Sequence, residues 1–438
     1  MWLQSERSKT MVSAILFASF ALLLIFNVPI AVALGIAGII GMHFADVSLS
    51  QIPVMAFTAS SKFSLLAIPF FVLGGNIMEK AGISEKLINF AKACVGHTRN
   101  GVAVVLVVVA CFFAAISGSG PATVAALGII LIPAMVEAGY SLTYATALMS
   151  AAGAIGVIIP PSVTFVVYGC VSGASIGKLF MAGIIPGIMM GVALVLCTII
   201  CSRNNPNLKP LPKASGAERW KAFKDAFWGL MMPVIILGGI YGGIFTPTEA
   251  AAVSAVYGLF VGIFIYHRIR LKEMKELIVN SASQTGVVMY VIIAATMFAY
   301  VITVDNLAIT ASDAMMAITG GNIYIFLLIV NIILLIAGCV MDAVSALYIL
   351  VPILYPIAQR MGYDVTAFGI VMCVNLAIGL VTPPVGVNLF TGASISKITI
   401  KDMIGDVLPI IGSLLIVLLI VTYIPQVSMF LPNITGMK

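Results

Sequence analysis

Residues 141–177 carry no charged side chain, yet two consecutive prolines, Pro160 and Pro161, stand in the middle of the stretch. A proline inside a helix deletes a backbone hydrogen bond, clashes with the preceding turn and pushes the residue before it out of the helical region. In hydrocarbon the freed backbone groups have no water to turn to. The arrangement recurs at Pro383-Pro384, so the chain interrupts a membrane-compatible segment twice.

The setting is a bilayer, because 61% of the 438 residues are hydrophobic and only 9% are charged. A soluble surface needs far more charge than that. Apolar runs long enough to span a membrane recur along the whole chain, which predicts a polytopic helical membrane protein. The net charge of +6 does not indicate nucleic acid, because the basic residues gather in a few loops. The seven cysteines (Cys94, Cys111, Cys170, Cys197, Cys201, Cys339 and Cys373) lie mostly in apolar runs and read as packing residues; only Cys197 and Cys201 share a helical face. His43, His97 and His267 have no partner at metal-ligand spacing. The segment beginning at Gly173 fails as a phosphate loop, because Leu179 stands where a Ser or Thr should hold magnesium. The apolar stretch 11–41 is too long for a signal-peptide core.

The two diprolines lie 223 residues apart, and Gly156 with Gly379, Pro133 with Pro356, Gly139-Tyr140 with Gly362-Tyr363, and Pro186 with Pro409 repeat that offset. An ordered set of this kind predicts an internal duplication. The first repeat is expected over 11–201, followed by a basic cytoplasmic loop 202–227 and a second repeat over 228–425. Spans are expected at 11–26, 29–44, 53–80, 182–201, 228–245, 249–267, 278–304 and 404–424. Paired apolar limbs fall at 102–137 and 322–360. In the first pair each limb counts 13–16 residues around a Ser, Gly and Pro tip, short for a crossing of about 20 residues, which predicts a re-entrant hairpin; two tight full spans are the alternative. The broken segments are 141–178 and 364–397. Five crossings per half is an odd number, so the second half is expected to be inverted. The basic segments 86–99, 203–224, 267–275 and 397–401 then share one side, whereas 45–52, 246–249 and 305–322 hold no Lys or Arg. Both termini would lie on the other side, outside the cytoplasm, with Arg7 and Lys9 in conflict with that orientation.

Inverted repeats with broken helices are a transporter architecture in which exposed carbonyls coordinate a cation and half-helix N-termini face an anion. The first candidate sodium site comprises Ser117, Gly118 and Ser119 at the hairpin tip with carbonyls of Gly156 and Ile159. The second comprises Gly338, Val340, Asp342, Gly379 and Thr382. Thr123, Pro160, Pro161, Ser162, Pro383, Pro384 and Asn388 are the candidate substrate residues. Asp342 either serves the cation or a proton, or caps the following helix; both readings stay open. Glu249 with Thr246 fits a capping box. No H-E-x-x-H or Ser–His constellation supports a hydrolase.

The motifs SGSGPATVAALG, GVIIPPSVTFVVYG, SIGKLFMAGIIPG, TPTEAAAVSAVYG and GLVTPPVGVNLF, in that order, resemble the large membrane subunit of tripartite ATP-independent periplasmic (TRAP) transporters, over about residues 11–425. The resemblance implies a bacterial inner-membrane, elevator-type, sodium-coupled importer of organic acids such as dicarboxylates or sialic acid. It implies no cofactor beyond coupling sodium ions, and two partners: a small four-helix Q subunit and a periplasmic substrate-binding P protein. Hairpins and broken helices would form the moving transport domain and the remaining spans the scaffold. The nearest rival is a stand-alone sodium- or proton-coupled carrier of organic anions.

Overall fold

The structure, a computed structural model, describes residues 2–436, and side chains from Met11 onward with Leu271 excepted. The side chains of Arg7 and Lys9, which bear on the side of the N-terminus, lie outside the described residues. Every regular element among them is helical.

The first half opens with α1 (Trp2–Ile25) and α2 (Ile30–Phe44). Between them Asn27 adopts a left-handed backbone (φ 59°) and Pro29 starts α2. This is the expected break. The single span expected at 53–80 is instead divided into α3 (Gln51–Ser60), a 3-10 turn (Phe63–Leu66) and α4 (Ala67–Lys80). Thr58 and Ser60 turn their hydroxyls back onto the carbonyls of Val54 and Ala56, and Lys62 follows directly. Hydroxyls that compete for the helical ladder and a charge beside them make a weak point. Next come the amphipathic α5 (Ile83–Val95), then α6 (Gly101–Ser117) and α7 (Gly120–Glu137).

The limbs of this first pair are longer than the sequence count, because Ser117 completes the last turn of α6 and Pro121 is accommodated in the first turn of α7. Only Gly118 and Ser119 lie outside helix, and Gly118 takes the left-handed conformation (φ 61°) that closes α6. At 17 and 18 residues the limbs are about 26 Å long, so shortness does not set them apart from spans. Then α8 (Leu142–Ala154) tightens into a 3-10 turn (Ile155–Val157), the chain breaks at the diproline, and α9 (Val163–Ser172) resumes. α10 (Ile176–Cys201) ends the half.

The second half runs α11 (Gly216–Tyr241), α12 (Pro247–Phe260) with a π turn (Val261–Ile265), and α13 (Leu271–Val304). The basic loop is shorter than 202–227, because a capping box of Ser215 and Glu218 starts α11 early. The stretch after Asp305 is a helix rather than a loop: α14 (Leu307–Thr319) is tied to α16 where Arg360 Nη1 donates to Ser312 Oγ at 2.8 Å. α15 (Ile323–Val340) and α16 (Ala343–Arg360) form the second pair, α17 (Val365–Gly379) and α18 (Val387–Ser396) flank the second diproline, and α19 (Ile400–Tyr423) and α20 (Pro425–Ile434) close the chain.

Nine helices among the described residues are long and apolar enough to cross a membrane, including α7, α15 and α16. The centre of the molecule is made by α8 and α17. α8 is buried on every face from Tyr144 to Ala154, and α17 from Thr366 to Gly379. Helices apolar all round belong in such a position. α7, α8 and α18 pack together, α15 lies on α17, and outside this group α4 lies on α12 and α2 on α13.

Candidate functional site

At the centre, the tips of the two helix pairs meet the two breaks. Pro160 and Pro161 cannot donate to the carbonyls four residues earlier, Gly156 and Val157. Ser162 takes up one of them, its hydroxyl donating to the Val157 carbonyl at 2.5 Å, and its oxygen also accepts from Phe165 N as the cap of α9. At the second break Thr382 N donates to the Gly379 carbonyl at 3.0 Å and Asn388 N to the Leu380 carbonyl at 3.0 Å. Each break is thus stitched by its own backbone and hydroxyls, as burial requires. Both diproline peptide bonds are cis. Pro160 and Pro161 are buried, whereas Pro383 is half-buried and Pro384 exposed.

The first tip locks onto the first break. Val163 N donates to the Gly118 carbonyl at 3.5 Å. Ser117 and Thr123 share a hydroxyl hydrogen bond of 2.8 Å, and Thr123 Oγ1 donates to the Ser119 carbonyl at 2.8 Å. A side chain at Gly156 would stand 2.9 Å from that same carbonyl oxygen. The second tip repeats the contact: Gly386 N donates to the Cys339 carbonyl at 3.2 Å, and Gly338 meets Gly379 backbone to backbone. Asp342 caps α16, its carboxylate accepting from Ser345 N (3.0 Å) and Ser345 Oγ (2.5 Å). Glu249 likewise completes the capping box with Thr246.

Both tips open on one cavity of about 570 Å³. Ser117, Gly118 and Ser119 line it from the first tip and Asp342 from the second. The first residues of four helices also line it: Gly120 of α7, Val163 of α9, Ala343 of α16 and Val387 of α18. Four positive helix ends therefore converge on it, alongside the chain ends of α6 and α17 that offer carbonyls. Among the described residues, Glu79 and Asp342 are its charged lining residues, and no Lys or Arg lines it.

Other expected residues lie elsewhere. Ile159 and Pro160 line a separate, almost wholly apolar cavity between α6, α10 and α11. Ile159 is drawn there because Gly187 of α10 leaves it room: a side chain at Gly187 would overlap Ile159 Cγ1 at 2.5 Å. Val340 is exposed, and Thr382 Oγ1 bonds within its own segment to the Ile378 carbonyl at 2.8 Å. Asn388 is fully buried beneath the first tip, its Nδ2 donating to the Ser150 carbonyl at 3.0 Å and its side chain against Gly120. The sequence reading missed Asn76 and Glu79 of α4, Gln284 of α13, Thr164 and Thr391, all of which line the cavity. Asn76 Nδ2 donates to Ser281 Oγ (2.9 Å) and Gln284 Oε1 (3.2 Å), tying α4 to α13. The available signal was two polar residues three apart, on one face of an apolar helix.

A family model described as "Tripartite ATP-independent periplasmic transporter, DctM component" matches residues 17–427. The isethionate TRAP transporter permease protein DctMQ of Oleidesulfovibrio alaskensis is 45% identical over 417 residues, covering 95% of this chain and 66% of that longer protein. The C4-dicarboxylate TRAP transporter large permease protein DctM of Pseudomonas aeruginosa is 43% identical over 407 residues, covering 93% of this chain and 95% of that protein. Among solved structures, the Alcanivorax borkumensis YdaH transporter superposes with a TM-score of 0.63 at 16% identity, covering 87% of this chain and 88% of that one, a likeness of fold.

Proposed function

The chain belongs to the DctM component family of tripartite ATP-independent periplasmic transporters, and from that membership we propose that it is the transport subunit of a sodium-coupled importer that moves a small organic acid inward by an elevator mechanism. It is a multi-pass membrane permease subunit rather than an enzyme. The observation that carries the proposal is the cavity on which four helix N-termini and both tips converge. Positive helix ends suit a carboxylate or sulfonate in a lining without Lys or Arg. Carbonyl-rich chain ends and Asp342 suit a hard cation.

The halves are read as inverted repeats, 11–201 and 228–425, because the contact of tip on break recurs in each. In this reading the two helix pairs with α8, α9, α17 and α18 travel together, while α1–α4 and α11–α13 stand still. The sodium ligands are placed at the first tip (Ser117–Ser119 region) and around Asp342. The relatives named for C4-dicarboxylate and isethionate point to a short acid of that class. The fused DctMQ relative, longer than this chain, favours a small membrane partner over a stand-alone carrier, and a periplasmic binding protein completes the system.

The test is uptake of labelled succinate and isethionate by proteoliposomes containing this chain, a matching small subunit and a matching binding protein. Uptake that needs an inward sodium gradient and the binding protein is expected. Uptake by the chain alone overturns the tripartite reading, and uptake indifferent to sodium overturns the coupling.

A further inference from the structure

A second large cavity, of about 860 Å³, lies between the α3–α4 break, the α9–α10 junction and the start of α12. Its lining is more polar than that of the apolar cavity beside α11 and includes two ammonium groups, Lys62 and Lys178, with Ser64, Ser175 and Thr248. The central cavity has the opposite character, with Glu79 and Asp342 as its charged groups. An acid attracted to this chain by charge therefore meets its cations here and not at the centre.

The two cavities are joined by one element. The N-terminal residues Val163 and Thr164 of α9 line the central cavity, and Gly169 and Cys170 near its other end line the second one. These two pairs of lining residues are six positions apart on the helix, which puts them about 9 Å apart. Lys62 Nζ donates to the Cys170 carbonyl at 3.2 Å, a cation set at the negative end of α9. Lys178 stands in the first turn of α10. The nearest acid on α12, Glu249, is committed to Thr246 N and Oγ1 and does not line the cavity.

We propose that this cavity is a docking site for a small organic anion, a carboxylate or sulfonate, held by Lys62 and Lys178 before it reaches the central cavity along α9. The proposal rests on the organic-acid reading of the previous subsection and adds to it a place where the acid waits.

Cys170, half-buried in the cavity wall, reports on the site directly, and the exposed Cys201 serves as a reference in the same molecule. The full chain with its small subunit, solubilised in detergent so that both membrane faces are open to reagent, is treated with an anionic (sulfonatoethyl) or a cationic (trimethylammonioethyl) methanethiosulfonate, and labelling of each cysteine is followed by peptide mass spectrometry. At low salt the anionic reagent is expected to label Cys170 roughly tenfold faster than the cationic one, relative to the same ratio at Cys201. Added salt shrinks the preference. Succinate or isethionate slows labelling of Cys170 alone. The double variant K62Q/K178Q abolishes both preference and protection, and K62R/K178R keeps them. Equal ratios at the two cysteines, or labelling of Cys170 indifferent to both acids, overturns the proposal; both readings come from the unaltered chain, so a poorly folding variant does not obscure them. Parallel uptake separates the two levels. Uptake without protection removes the docking site and leaves the importer, whereas protection without uptake keeps the anion site and removes the importer.

Discussion

Gly379 and Gly338 touch where the second tip meets the second break, and a single methyl group probes the contact. In Gly379→Ala the new carbon would stand 2.5 Å from both Cα and the carbonyl carbon of Gly338 and 3.0 Å from its oxygen. Carbon atoms rest about 3.5–4.0 Å apart, so the ends of α15 and α17 must part by about 1 Å, and both obstacles are backbone. Overpacking of this kind costs about 1–3 kcal/mol. The neighbouring bond from Gly386 N to the Cys339 carbonyl, already 3.2 Å, lies on the same seam. If the closed seam is the cation-bound arrangement, the strain falls on that state, and about 2 kcal/mol corresponds to roughly a 30-fold rise in half-saturating sodium. The assay is uptake against sodium concentration in proteoliposomes, with a melting curve of the same preparation. Gly405→Ala and Gly412→Ala on α19, where an added methyl meets nothing within 4 Å, are the controls. They exchange a poor helix former for a good one and are expected to melt slightly higher with unaltered transport. A Gly379→Ala protein that melts and responds to sodium like the controls refutes the reasoning.

Asp342→Asn retains a competent cap for α16, so its melting should move little, whereas Asp342→Ala should lose about 1 kcal/mol; a sodium response of the Asn variant equal to the parent leaves Asp342 a cap only. Ser162→Ala strands the Val157 carbonyl in an apolar surround and is expected to cost about 1–3 kcal/mol in a melting experiment. Asn388→Leu removes the bond to the Ser150 carbonyl and should destabilise by a similar amount; if Asn388 instead touched only substrate, melting would stay put and only the concentration dependence of uptake would change. Glu249→Gln preserves the α12 capping box and should be silent, while Glu249→Ala is expected to cost about 1 kcal/mol in the same measurement.

Much of this was legible because prolines and glycines act locally. The diprolines, the tip at Gly118, the break at Asn27, the capping box at Thr246–Glu249 and the cap at Asp342 all follow from what those residues do to their own backbone. Failures came where the outcome depends on neighbours or on short runs. α14 has two Asp close by and only 13 residues, below the length a hydropathy reading recognises, and it is held by Arg360 from another helix. The division of 53–80 turned on Lys62 and the hydroxyls before it, which a count of apolar residues overlooks. Asn388 was read as a ligand residue because it follows a break, but the fold buries it in the other half of the molecule. Ile159 and Pro160 were read by position along the chain, and the space left by Gly187 decided their direction. Asn76, Glu79 and Gln284 come to the centre through the pairing of α4 with α13, which no local pattern encodes.

The lodging of Asn388 between Gly120 and Ser150 has a consequence for synthesis. The notch that receives it is complete once α7 and α8 have been made, but the residue that fills it is translated more than two hundred positions later. Until then the Ser150 carbonyl lacks that donor, and the early half waits with an open slot in its middle. A chain truncated before Asn388 therefore leaves the notch unfilled, and the first-made helices lose one buried contact supplied from the far end of the sequence.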